Sequence, residues 1–69
     1  MKGIDYYYRE FANILNSANP KLADEFREFL SAHTQEPNKV FLWLEEKRRN
    51  GVLPQTMEEY LTNFFWEIR

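Results

Sequence analysis

Apolar residues recur at spacings of three and four along most of the chain, the signature of helices that each bury one face. The clearest case lies toward the carboxy-terminal end, where Met57, Tyr60, Leu61, Phe64, Phe65 and Ile68 share one side. Thr56 and Glu59 have the spacing of a reciprocal cap, in which the threonine side chain accepts from the Glu59 amide and the glutamate reaches back to the Thr56 amide. At about 100° per residue, Trp66 falls opposite Met57, on the side that should see water. Two readings of it stand open. It is an exposed interface residue, or it covers a central third helix as part of a second core layer.

Three further segments follow the same logic. Residues 5–17 place Ile4, Tyr8, Phe11 and Leu15 on one face, flanked by Tyr7, Ile14 and Ala18, with Tyr6 pointing away. Asn19 and Pro20 read as the cap and first residue of a second helix, because proline's fixed φ suits a first turn whose N–H is not needed. That helix runs to about Ala32 and aligns Leu22, Phe26, Phe29, Leu30 and His33 against an outward set of Asp24, Glu25, Arg27 and Glu28. A third helix begins near Pro37 and ends near Asn50 and Gly51, where glycine can take a left-handed cap. Its run Val40, Phe41, Leu42, Trp43, Leu44 is apolar on every side, which predicts that this helix is the most buried, with outer helices carrying the chain ends. The strong helix formers that follow, and the lack of a partner strand, argue against a buried strand there. Val52 and Leu53 are expected to close one end of the core.

Composition narrows the picture. The 69 residues read as one domain over 1–69. A chain this short buries only about 60% of its unfolded surface. There is no cysteine, so neither disulfides nor thiolate metal sites can add stability. Six Phe, four Tyr and two Trp compensate with aromatic mass. Nine basic and eleven acidic residues give a net charge of −2, with signs interspersed. No apolar run approaches the ~20 residues that span a bilayer. Met1, Lys2 and Gly3 lead into charged, tyrosine-rich sequence without an apolar leader, so a soluble cytoplasmic protein is expected.

Candidate chemistry is sparse. One histidine, Ser17 and Ser31 offer no nucleophile, base and orienter set, and adjacent glutamates such as Glu45 and Glu46 diverge around a helix. The expectation is a protein that is not an enzyme and needs no cofactor or metal, with His33 as a packing or helix-end residue. Lys47, Arg48 and Arg49, with nearby Lys39, form the one candidate for nucleic-acid phosphates; equally, cations at a helix end complement the macrodipole, and Glu45 is spaced to pair with Arg49. Trp66, Tyr6 and Leu42 lie off their helices' apolar stripes and are the candidate residues for binding a protein partner or a second copy.

From Asp24 onward the order of features resembles the YozE family of small bacterial proteins. The parallel consists of Asp24, Glu25 and Phe26, then His33 and Pro37, then Trp43, Leu44 and Glu45, then Leu53, Met57, Tyr60 and Phe64. The resemblance implies a compact helical fold similar to sterile alpha motif domains; it assigns no activity and no functional residue. The resulting expectation is an all-α, compact four-helix domain with an aromatic core. It would be a binding or regulatory protein of bacterial or phage type acting through protein–protein contact, with a nucleic-acid accessory role as the alternative.

Overall fold

A computed structural model describes residues 3–69; Met1 and Lys2, on which the reading of a chain without a leader partly rests, lie outside the described residues. Its elements are α1 (Ile4–Ala18), α2 (Pro20–Ala32), α3 (Pro37–Arg49) and α4 (Met57–Ile68), an all-α four-helix domain. Principal extents are 27 × 24 × 19 Å. No described helix is long and apolar enough to cross a membrane.

The breaks have different chemistry. Asn19 serves two helices: its N–H donates to the Leu15 carbonyl at 2.6 Å, and its Oδ1 accepts from the Leu22 amide at 3.2 Å, with Pro20 following as predicted. At the end of α3, the Val52 N–H reaches the Lys47 carbonyl and the Gly51 N–H the Arg48 carbonyl, at 3.2 and 3.0 Å. This Schellman closure needs the left-handed residue that Gly51 provides with φ +73.

The reciprocal cap at α4 does not form. Thr56 already has helical dihedrals (φ −62, ψ −20) and its side chain caps nothing. An N-cap needs extended backbone to aim its oxygen at the first-turn amides. Those amides are served instead by the preceding turn: Met57 N–H donates to the Pro54 carbonyl at 3.0 Å and Glu58 N–H to the Gln55 carbonyl at 3.1 Å.

The core is built around α1 rather than α3, which corrects the expectation of a buried third helix. α1 packs against both α2 and α4 and buries Tyr7, Tyr8, Phe11 and Leu15. Phe64 meets the rings of Phe11 (5.4 Å, edge-on), Tyr7 (5.7 Å) and Tyr8 (5.9 Å), while Phe26 stands edge-on to Phe11 at 6.2 Å. α3 buries only Val40 and Leu44. It leans on α4 and reaches α2 through Trp43, whose ring lies 5.7 Å from Phe26 and 5.6 Å from Phe29. An apolar run on all sides of a helix is not sufficient for burial when neighbours cover only part of the circumference. Leu53 packs against the core as expected, but Val52 is exposed, because the Schellman turn sends it outward. Phe29 and Tyr60 are only half-buried at the core's edge.

One polar atom inside this core is unsatisfied. The Tyr8 hydroxyl is buried without a hydrogen-bond partner among the described residues. Burial, reinforced by the negative charge of Asp5, pushes its ionisation above the ordinary tyrosine range.

Candidate functional site

The surface candidates separate onto three elements. Tyr6, on α1, is half-buried against the core and edge-on to Tyr7 at 5.2 Å, so it does not project freely as its helical position suggested. Leu42 on α3 is 61% exposed and Trp66 on α4 is 63% exposed. Leu42 borders a shallow depression with Phe29, His33, Lys39, Trp43 and Glu46, between α2 and α3. Trp66 belongs elsewhere, beside Phe65, whose ring it meets edge-on at 5.6 Å. Because the closed core is complete without it, Trp66 is not a second core layer.

Phe65 also lines a shallow groove. It encloses about 270 Å³ between α3 and α4, with Phe41, Leu61 and Phe65 as its apolar surface and Glu45, Arg48, Glu58 and Thr62 around it. The Phe41 and Phe65 rings are 5.1 Å apart. Beyond them the Arg69 guanidinium lies over both Phe65 (5.3 Å) and Trp66 (5.1 Å). A cation held over exposed rings gains ~0.5–1 kcal/mol and covers apolar surface that would otherwise face water. The result is a continuous aromatic edge, Phe41 to Phe65 to Trp66, bordered by charges of both signs.

Sequence reasoning singled out Trp66 but not Phe41 or Phe65 as surface residues. Phe65 counted as part of the α4 core stripe, and Phe41 lay inside a run that looked central. The sequence holds only an angular hint, and for Phe65 alone: it sits about 80° from Met57, at the margin of the stripe, where spacing does not decide between core and surface.

The basic candidates are dispersed by local partners. Glu45 receives Arg48, not Arg49: Arg48 Nε donates to Glu45 Oε1 at 2.7 Å and Nη2 to Oε2 at 3.1 Å. That fork holds the Glu45 carboxyl below the usual carboxylate range. It also raises the Arg48 guanidinium, to which Glu58 adds. Lys39 pairs with Glu36 at 2.9 Å. Lys47 places its ammonium 5.1 Å from the Trp43 ring centroid. Arg49 is exposed at the end of α3.

His33 is the helix-end residue its position predicted. Its N–H donates to the Phe29 and Leu30 carbonyls at the end of α2, its ring lies 4.3 Å from that of Phe29, and its Nδ1 is 2.8 Å from Glu36 Oε1. Bonds from His33 and then Lys39 hold the Glu36 carboxyl below its ordinary range. Among the described residues, no group of three His, Asp or Glu side chains is placed to hold a metal ion. Comparison with protein-family models, curated proteins and solved structures returned no match.

Proposed function

We propose that this protein is a small non-catalytic binding or regulatory domain that acts through protein–protein contact, using the α3–α4 edge. The observation that carries the reading is Trp66, 63% exposed on a helix whose own core stripe is complete without it. An exposed tryptophan beside further half-buried rings is an apolar liability unless something covers it, and tryptophan is enriched among residues that dominate interface energetics. Its neighbours fit the role: Phe65 and Phe41 extend the apolar area, while Glu58 and Arg69 frame it with charge. The cysteine-free composition and the YozE-like order of residues support a bacterial or phage-type protein of the cytoplasm.

The test compares two measurements on Trp66→Ala. Thermal melting should be nearly unchanged, and association, followed by light scattering or by capture of the partner, should weaken by ~2 kcal/mol or more. A large drop in melting temperature with association intact would place Trp66 in the fold and remove the reading.

A further inference from the structure

We infer that the edge of α4 that borders the α3 groove, formed by Glu58, Thr62, Phe65, Trp66 and Arg69, is a self-pairing surface on which α4 of a second copy of this chain lies antiparallel. The inference rests on the protein-contact reading above and names the partner.

Positions 58, 62, 65 and 69 advance by four, three and four residues, so they keep to one stripe of the helix, the spacing by which two helices meet along a seam. The structure bears out that alignment: Glu58, Thr62 and Phe65 line the same groove, and Arg69 lies over Phe65. The stripe has an acid at its amino end and a base at its carboxyl end, about 16 Å apart along the axis. Neither Glu58 nor Arg69 is in an ion pair among the described residues, although Glu58 shares its groove with the Arg48 guanidinium, which senses its charge, and Arg69 lies over the Phe65 and Trp66 rings.

An antiparallel second copy brings each Glu58 to the other copy's Arg69, twice over, by symmetry alone. A parallel copy would put acid on acid and base on base. Antiparallel packing also sets the positive end of one helix dipole beside the negative end of the other. Between the two charge pairs, Thr62 of one copy falls level with Phe65 of the other, with Trp66 alongside.

Thr62 at the centre of the seam is already prepared for burial. Its hydroxyl donates to the Glu58 carbonyl at 3.0 Å within its own helix, so covering it strands no donor and presents a methyl group to the facing rings. A face of charges that complement themselves only when reversed, with a polar residue whose donor is satisfied between them, fits another copy of itself. An unrelated partner would have to reproduce the same reversed order.

The experiment is sedimentation equilibrium of the full chain across a concentration series, for the parent, Glu58→Arg, Arg69→Glu and the double exchange. The parent should rise toward twice its monomer mass. Each single reversal should move the dimerisation midpoint about tenfold or more upward, since it sets like charges against each other at both ends of the seam. The double exchange restores opposite charges across the seam and should bind more tightly than either single reversal, short of the parent because it gives up the Arg69 contact with Phe65 and Trp66. Both side chains are exposed, but each reversal opposes the α4 dipole and Glu58→Arg sets a cation near Arg48, so a small drop in melting temperature is expected; Glu58→Gln and Arg69→Gln are therefore measured beside the reversals and should each weaken the dimer. A parent that stays monomeric up to its solubility limit, or a double exchange no better than the singles, overturns the inference. Loss of capture of a different protein on Trp66→Ala would then leave the protein-contact reading standing, which separates the two failures.

Discussion

Phe64 and Trp66 are near neighbours on α4 and both touch other aromatic rings, yet their surroundings have opposite consequences. Phe64 is fully buried among Tyr7, Tyr8 and Phe11. Trp66 has Phe65 on one side, Arg69 over its face and solvent across most of the rest. Ring-to-ring geometry is therefore a poor guide to what an aromatic does. Enclosure is the better one, because the area removed from water sets most of the free energy. The inner rings stabilise the fold, while the outer ones have most of their area still to bury.

Substituting the inner ring should have the largest effect. Phe64→Ala removes a ring shared by three neighbours on α1 and should cost ~3–5 kcal/mol through lost transfer energy and a cavity. For a domain of this length that rivals the whole margin of ~0.05–0.15 kcal/mol per residue, so circular dichroism should show a largely unfolded chain. A variant that melts like its parent would end the distinction between the two regions.

A second change sharpens the comparison from inside the core. The Tyr8 hydroxyl is buried with nothing to bond, so Tyr8→Phe removes a desolvation cost and keeps the ring against Phe64. We expect stabilisation of ~1 kcal/mol, a rise in melting temperature of several degrees. An unchanged or lower melt would show that the hydroxyl is satisfied in solution.

A further pair of effects, reaching down to the smallest, concerns helix starts. Asn19→Ala should cost ~0.5–2 kcal/mol, because its side chain accepts the Leu22 amide. Thr56→Ala should change stability by less than ~0.5 kcal/mol, because that side chain caps nothing. Denaturant midpoints of the two variants should differ accordingly. Equal losses would contradict the helical backbone at Thr56.

The same two starts show what a sequence can and cannot reveal. Asn19 followed by Pro20 was readable because proline constrains the backbone there whatever the tertiary setting. Thr56 and Glu59 have the right spacing, but the cap depends on the dihedrals of Thr56, and the turn through Pro54 and Gln55 had already wound it into the helix. All four helices followed from periodicity and punctuation. Which helix is central did not, because periodicity describes one helix at a time and centrality depends on who packs on whom. The run from Val40 to Leu44 buries only its first and last members. At the candidate site, Trp66 stood out because it is far from its stripe, whereas Phe65, at the margin, could be assigned only with α3 in place.

Asn19 carries one more consequence, for the spacing of the chain. With a single residue between α1 and α2 that bonds to both, the corner works as a phase lock. Adding or deleting one helical residue beside it would rotate the α2 stripe by about 100° and turn Leu22, Ala23 and Phe26 away from the core. The connection between α3 and α4 imposes a weaker lock: residues 50–56 are mostly exposed, although Gly51, Val52, Pro54 and Gln55 bond to the flanking helices and Leu53 packs on the core. Changes in chain length should therefore be excluded from the first corner and better tolerated at the last, near Glu58.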